Sequence, residues 1–567
     1  MKNLKVRNNR RKIDSSKEDA SLSNKKFLFA AWASESRSYA TYQVWYSPLN
    51  KIFKNILFYD PQKNLYQYGK DSMNERFLEL IEKEKPDYVF FWLIYDEFYI
   101  ETLLKIREIS PKTIIINFFG DDDSQFEIFS RYYGLIFDYS LILPQLPNSI
   151  YKKEGIKNYF FTLLANLDNY TPLKIEKKYD VTFIGTPKSD RYELIRYLKE
   201  NNINIKLFGW GWDSYPDLKD VYEGPLSDTD LVKKINESKI NLCFTKNYYG
   251  VPHVKGRVVE VAACNSFVLV EYSTRYLDLF KEGKEIVMFN SKEDLLEKIK
   301  YYLKNEKQRE KIAERAYKKI VKNYDFNTEL RKYFTQISKK SSFKHRLLPE
   351  VKKNQITLAK EDFELSAEEL KEKIKNYDYL SFNDGNSDFH SFKEYFQIYS
   401  LEKTKKKISC CDYYASSDGL KNYLAFNSFW AFKSLSSDDF QYFQNINQLM
   451  VDKNYFLENL EDFRTLFYGK KVDILKEDKT CFISIPLVSI NNIKNANYGK
   501  MKKAFLMLFV YDLSSKIYQK KLLTSSYFYN LIFSSITHGR WFIIRHLSGS
   551  LFNKGKLKTL KKIKEGV

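Results

Sequence analysis

The stretch HVKGRVVEVAACNSFVLVEY, residues 253–272, decides the fold of this chain. GRVVEVAAC (256–264) spaces its valines and alanines as a helix does, and FVLVEY (267–272) is an apolar run of strand length. Lys255, Gly256 and Arg257 stand where the helix begins. The first N–H groups of a helix lack intrahelical acceptors and form the positive end of its dipole, so this position suits an anion. Gly256 lets a ligand approach the backbone, and Arg257 can fork onto a phosphate. Glu260, one turn on, can accept hydrogen bonds from paired hydroxyls such as those of a ribose. Asn265 follows the helix where a left-handed residue is wanted, a role in which Gly is commonest and Asn next. The same spacing also suits an amphipathic helix whose Arg257 and Glu260 are simply solvated, so spacing alone leaves both readings open.

Strand and helix signals alternate outward from this stretch in both directions. Upstream in the same unit, YDVTFIG (179–185) reads as a strand ending at a glycine, RYELIRYLKEN (191–201) as a helix and INIKLFGWGW (203–212) as a strand running into a Gly/Trp loop. DLVKKINES (230–238) is helical, INLCFT (240–245) a strand, and residues 291–324 make one or two long helices. An earlier series has the same texture. Strands are expected at KFLFAAW (26–32), NILFYD (55–60), DYVFFWL (87–93), KTIIINFF (112–119) and FDYSLIL (137–143), with helices over 73–85 and 97–109. Such alternation predicts two successive α/β units with parallel sheets, about 150 residues each. Ligands bind at the strand C-terminal edge of open α/β sheets, so two units leave a binding cleft between them.

The chain has 567 residues, too many for one compact domain, and an ordinary apolar share of 44%. The expected division is a disordered basic leader over 1–25, an acceptor-side domain over 26–165 and a donor-side domain over 166–338. A region of different texture follows over 345–515, rich in Asp, Asn, Ser and Tyr, and then an aromatic, basic tail over 516–567. The net charge is +21, but residues 1–26 carry nine Lys/Arg against three Asp/Glu, and 540–567 carry eight against one. More than half of the excess therefore sits in two short ends, which points to an anionic membrane surface or a polyanion rather than to nucleic-acid recognition by the body. The 44 Tyr and 44 Phe are spread along the chain, whereas a base-stacking platform for RNA needs them on one face. The five cysteines, Cys243, Cys264, Cys410, Cys411 and Cys481, lack metal-ligand spacing and read as buried thiols in a reducing compartment. No secretory leader and no run of about 18 apolar residues occurs, so the expected setting is cytoplasmic, or peripheral at the inner face of the cell membrane. Leu557, Leu560, Ile563 and Val567 recur among lysines in 551–567, in the manner of an interfacial anchor for anionic lipids. A helix packed on the body suits the same pattern.

Residues 255–265 follow the order K-x-R-x-x-E-x-x-A-C-(G), and 276–299 continue with YLDLFKEGKEIVMFNSKEDLLEKI. With YDVTFIGTPKSDRYELIRYL (179–198), IKLFGWGW (205–212) and ERAYKKIVKNYDF (314–326), this resembles the CgeB-like, or spore-maturation-protein-like, glycosyltransferases, relatives of glycosyltransferase family 4. The resemblance is specific over 179–326 and loose over 26–165. It implies a GT-B fold, two Rossmann-like domains facing a cleft. By this resemblance Arg257 and Lys255 contact the donor diphosphate beside Gly256, and Glu260 contacts the ribose. The loop after Gly185, with Thr186, Lys188 and Arg191, lies at the phosphates. Gly209, Trp210 and Gly211 lie near the base, although Trp210 and Trp212 equally suit loop packing. Two positions depart from the pattern. Pro252 stands where family 4 usually has its first glutamate, and Asn265 replaces the usual Gly.

The acceptor side is less legible. Gly120-Asp121-Asp122-Asp123 ends a strand of the first unit, where Asp121 or Asp123 could orient an acceptor hydroxyl or act as general base. Asp123 also suits a helix N-cap. His253 could donate to a leaving phosphate or be structural. No metal or other cofactor is expected, because helix ends and Arg/Lys can neutralise a leaving diphosphate. YDYLSFNDGNSDF (377–389) and ISCCDYY (408–414) resemble half of a GT-A (family 2) glycosyltransferase, with Asp384-Gly385-Asn386 in place of Asp-x-Asp and Asp388 nearby. This region is expected to be a degenerate accessory module. The expected function is a metal-independent, hexosyltransferase-like transfer of sugar from a nucleotide-activated donor to a cell-surface glycan, lipid-linked or protein acceptor. The alternative is a non-catalytic nucleotide-sugar or glycan-binding protein of the same fold, and a third reading is a basic membrane scaffold.

Overall fold

Apolar runs such as KFLFAA and IIINFF are buried almost throughout, as strands of a parallel sheet covered on both faces must be. The computed structural model describes residues 22–32, 40–68, 70–93, 97–146, 148–156, 158–187, 190–246, 252–339, 348–385, 387–417, 420–425, 446–468, 474 and 479–491. Its first unit contains β1 (Lys26–Ala31), β2 (Asn55–Tyr59), β3 (Tyr88–Trp92), β4 (Ile114–Phe119), β5 (Tyr139–Ile142) and β6 (Tyr159–Phe161). All pair in parallel, in the order β2-β1-β3-β4-β5-β6. Helices α1 (Lys70–Glu84) and α2 (Ile100–Ile109) connect strands, and a short α3 (Asp122–Gln125) follows β4. Leu22, assigned from sequence to the leader, is 1% exposed and belongs to this unit's core, so the ordered body begins earlier than expected.

The second unit contains β7 (Tyr179–Ile184), β8 (Ile205–Phe208), β9 (Ser238–Cys243), β10 (Val268–Glu271) and β11 (Val287–Phe289), again all parallel, in the order β11-β10-β9-β7-β8. Helices α4 (Arg191–Glu200), α5 (Asp228–Glu237), α6 (Gly256–Ala263), α7 (Lys292–Lys304) and α8 (Glu306–Asn323) clothe it. Ile195 and Leu198 of α4 share one core with Leu295 and Ile299 of α7, while Ile235 of α5 and Val258 and Val259 of α6 lie in another. Two α/β units with parallel sheets thus form a GT-B-type, Rossmann-like arrangement.

The next helix, α9 (Phe326–Ser338), departs from the expected boundary. Its Phe326, Leu330, Phe334 and Ile337 enter the first unit's core, with Phe334 5.5 Å from the rings of both Phe27 and Tyr88 and 4.9 Å from Phe53. The crossing is stitched by Ala165 N–H donating to the Tyr324 carbonyl (2.9 Å) and Phe326 N–H to the Ala165 carbonyl (2.9 Å). The two strands of chain joining the units therefore run side by side.

The third region is a mixed sheet of β12 (Gln355–Leu358), β13 (Tyr379–Phe382), β14 (Ser387–Phe389), β15 (Ile408–Ser417), β16 (Leu420–Ala425), β17 (Leu449–Asp452) and β18 (Thr480–Asn491). Helix α10 (Lys393–Thr404) docks it onto the first unit. Phe396, Tyr399 and Cys411 join the core that contains Tyr132 and Phe137. Tyr399 Oη donates to Glu154 Oε2 at 2.9 Å, and Glu154 also pairs with Arg131 at 3.4 Å. The third region has a core of its own, around Leu358, Phe382, Val451 and Phe463, and docks onto the first unit through Phe396, Tyr399 and Cys411. Residues 1–21, Lys188, Asn386, the remainder of 345–515 and the whole tail 516–567, including 551–567, lie outside the described residues. Among the described residues no helix is long and apolar enough to cross a membrane.

Candidate active site

The second sheet changes direction between β7 and β9, since the chain leaves β7 for β8 on one side and returns to β9 on the other. Crevices at such switch points are where open α/β sheets hold ligands. The loop after β7 begins at Gly185, and the loop after β9 leads through Thr245 and Lys246 to α6.

Helix α6 starts without a side-chain cap. Lys255 occupies the cap position in extended conformation, and its N–H donates to the buried Tyr276 hydroxyl at 2.7 Å. A Cβ built on Gly256 would meet nothing nearer than Glu260 Oε1 at 4.0 Å, so there is open space beside Gly256 in the first turn. Arg257 Nη1 and Glu260 Oε2 lie 2.8 Å apart, with side chains 28% and 22% exposed. Their separate assignments in the sequence become one ion pair. A part-exposed pair of this kind is worth about 0 to 1 kcal/mol, so a diphosphate can draw Arg257 away at small cost. Asn265 ends the helix at φ 50°, the left-handed conformation that its position called for.

The loops around the switch point hold one another. Arg191 is buried, and its guanidinium donates to the carbonyls of Thr186 (3.0 Å) and Lys246 (3.3 Å). Its described contacts tie the two loops together, where the sequence assigned it to the donor. Glu271, at the end of β10, accepts from Thr245 N–H (2.8 Å) and Lys246 N–H (3.1 Å) and pairs with Lys246 Nζ at 2.8 Å. Sequence reading missed Glu271 and Lys246; the residue types are ordinary for a strand end, and only the fold reveals that they brace the crevice. Gly185 and Gly209 are in close approach: a Cβ on Gly209, at φ 120°, would lie 2.4 Å from the Gly185 carbonyl oxygen. Trp212 is fully buried and donates from Nε1 to that same oxygen at 2.7 Å, whereas Trp210 is 56% exposed. The structure thereby separates two tryptophans that sequence left equivalent.

The two units meet beside α6. Gln145, just after β5 and 6% exposed, donates from Nε2 to the Val254 carbonyl (3.0 Å) and accepts from Val254 N–H (2.9 Å). Nothing in the sequence signals Gln145. Leu143 N–H donates to Phe119 at the end of β4 (3.3 Å), which places Gly120 and Asp121 beside this junction. His253, next to Val254, is buried and donates its N–H to Thr245 at 3.2 Å.

The aspartates resolve into different surroundings. α3 begins at Asp122, with exposed Asp121 at the cap position and no side-chain cap, so the expected N-cap at Asp123 is displaced by two residues. The Asp123 side chain lies outside the described residues. Asp122 is 1% exposed and accepts from Tyr151 Oη at 2.6 Å. Burial first, and then the Asp122 charge, push the Tyr151 hydroxyl far above the usual phenol range. Asp122 is thus built into the core, and Asp121 is the carboxylate presented at the strand edge. In the third region Asp384 N–H donates to Asn447 Oδ1 (2.9 Å) and Asp388 is exposed. Among the described residues no group of three or more His, Cys, Asp or Glu is arranged to hold a metal ion.

The two parallel α/β units carry an uncapped, basic helix start at a switch point, and residues 191–335, which span the second unit from α4 to α9, match the family model described as glycosyl transferase-like. The chain is weakly homologous to spore protein CgeB of Bacillus subtilis (strain 168), at 20% identity over 321 residues that cover 53% of this chain and 90% of that protein. Solved structures similar to it include Anabaena HepE in complex with UDP and glucose, at 11% identity and TM-score 0.42, covering 56% of this chain and 100% of that one. Sucrose-phosphate synthase from Thermosynechococcus elongatus is similar at 9% identity and TM-score 0.42, with the same coverage.

Proposed function

We propose that the chain transfers a sugar, of hexosyl type, from a nucleotide-activated donor to a hydroxyl of a cell-surface glycan, lipid-linked or protein acceptor. The observation that carries this reading is the start of α6: an uncapped helix end with open space at Gly256 and an Arg257–Glu260 pair on its first turn. There the donor diphosphate takes the N–H groups and Arg257, with Lys255 beside it, and Glu260, released from Arg257, accepts from the ribose hydroxyls. In the reaction the bond from the anomeric carbon to the diphosphate oxygen breaks and a bond to the acceptor oxygen forms. The charge that develops on the leaving diphosphate is met by the helix end and Arg257, groups fixed before the reaction begins. The acceptor proton passes to a carboxylate at the opposing edge, for which Asp121 is the exposed candidate. Lys188 and Arg191 serve the donor through the loop after β7, Arg191 by holding that loop, and His253 by fixing the approach to α6. Release of free nucleoside diphosphate from a panel of nucleotide-sugars, compared between parent and Arg257→Ala, tests the proposal. Donor-specific release that the variant loses supports it. A parent that binds donors but never releases diphosphate favours the non-catalytic reading.

A further inference from the structure

A second concave site lies at the opposite edge of the second sheet. A cavity of about 530 Å³ opens where β7, β9 and β10 begin, whereas α6 starts at the edge where those strands end. Its wall takes in Asn265, which closes the far end of α6. That helix has 8 residues, about 12 Å of rise, so the two places are separate sites. Cations reach the cavity from three parts of the chain: Lys177 from the segment before β7, Lys239 from β9, and Lys307, Arg309 and Lys311 from the start of α8. The carboxylates in the wall are Glu310 and Glu314, and Glu314 is paired with Lys318, which is not part of the wall. Lys239 pairs with Asp180 at 2.7 Å and Arg309 with Glu306 at 3.3 Å. This leaves the ammonium groups of Lys177, Lys307 and Lys311 against the single carboxylate of Glu310.

The wall is fixed before any ligand arrives. Buried Asn236 donates from Nδ2 to the Thr171 carbonyl (3.1 Å) and accepts from Leu173 N–H (2.9 Å), and its own carbonyl accepts from Lys177 Nζ (2.7 Å). That last bond uses one of the three N–H groups of the ammonium. Buried Arg309 is held by the Tyr302 carbonyl at 2.7 Å. Desolvation at the wall first, and then the Arg309 charge, lower the Lys177 pKa from its ordinary value, and Arg309 acts on it more strongly than Glu310 does. Lys307 and Arg309 also stand in the first turn of α8, at the positive end of its dipole, where Asn305 offers no side-chain cap. Like charges gathered at such a place cost stability until an anion comes between them. The cavity has the size usual for small organic ligands, about 300 to 1,000 Å³, and exceeds what an inorganic anion fills. Beside the cations stand Pro172 and Leu173, and Leu173 is 40% exposed, an apolar surface for an organic group. We propose that this cavity binds a phosphate ester, its phosphate between Lys177 and the start of α8 and its organic part against Leu173. The ester is a soluble sugar phosphate or the headgroup of a lipid; the recognised chemistry is the same, and the site does not depend on the donor reading of α6.

The test titrates the full chain with glucose-6-phosphate, dihexanoylphosphatidic acid, inorganic phosphate and UDP, comparing the parent with Lys177→Met, Lys307→Gln and Arg257→Ala. Losing one charged hydrogen-bond donor weakens binding by about tenfold or more. Lys177→Met is therefore expected to weaken the ester that the parent binds by that factor and to leave UDP unchanged. Lys307→Gln, at an exposed position where folding is not at stake, should weaken the same ester to a lesser degree. Arg257→Ala should leave ester binding as in the parent. The tighter of the two esters names the source, sugar phosphate or lipid headgroup. Ester binding that Arg257→Ala loses and both lysine variants keep belongs to the start of α6 and overturns the proposal. A parent that binds neither ester, or binds inorganic phosphate as tightly as either, overturns it as well. A parent that binds an ester through Lys177 but takes up no UDP upholds this site and removes the donor reading alone.

Discussion

Lys393, the first residue of α10, is 0% exposed, and its ammonium has no hydrogen-bond partner; its described contact is the Phe389 ring, 4.1 Å to the centroid. Burial, the dominant cause, pulls its pKa down to about 8 from 10.5, against small opposing contributions from Cys411, Glu394 and Cys410. A displacement of this size costs the folded state about 3 kcal/mol at neutral pH, where the amine must be charged. The cation–π contact with Phe389 returns about 1 to 2 kcal/mol. Lys393→Met keeps the packed stem and removes the charge, so a net gain of about 1 to 2 kcal/mol is expected. The pH dependence has a definite sign. Between pH 8 and 10.5 the unfolded chain holds the proton that the folded chain has lost, so the parent gains stability as pH rises through that window. The advantage of the variant is therefore largest below pH 8 and fades towards pH 10.5. Urea unfolding of parent and variant at pH 7 and pH 10, followed by hydrogen exchange across 393–404, measures it. A variant no more stable than the parent at pH 7, or a difference that does not change with pH, would refute the reasoning.

Three further outcomes follow from particular contacts. Asp121→Asn is expected to lower turnover about a hundredfold or more with little change in melting temperature, whereas Asp122→Ala should cost about 2 kcal/mol of stability by orphaning Tyr151. Comparable effects of the two on melting would contradict the distinction drawn between them. Gly209→Ala is expected to lose about 2 to 3 kcal/mol and nucleotide binding together, because its Cβ meets the Gly185 carbonyl; a fully stable variant would show that the two loops do not touch. If the tail contacts anionic lipid, deletion of 551–567 abolishes flotation with phosphatidylglycerol vesicles, and unchanged flotation removes that idea.

The two parallel units are legible in the sequence because buried parallel strands leave continuous apolar runs, as in KFLFAA and IIINFF, and because helices between them keep their own period. β6 escaped, being only the three residues Tyr159–Phe161, none of them fully buried. α9 is legible as a helix but not as a bridge: an apolar stripe of Phe326, Leu330 and Phe334 carries no address, and only the crossing at Ala165 sends it to the first unit. The start of α6 and the left-handed Asn265 could be placed from residue types, since both depend on local backbone chemistry. Gln145, Lys246 and Glu271 could not, because their roles arise from contacts with residues far away in the chain. The docking of the third region is of the same kind. Phe396 and Tyr399 look like any helix core until Tyr132 is set against them.

The central claim is that α6 begins a donor diphosphate site. Isothermal titration of nucleoside diphosphates into the parent, Arg257→Ala and Glu260→Ala tests it most directly. The account predicts a saturable parent isotherm, about tenfold or greater weakening in Arg257→Ala, and a Glu260→Ala defect seen with nucleotide but not with pyrophosphate. A parent that takes up no nucleoside diphosphate, or variants that bind as the parent does, would contradict it.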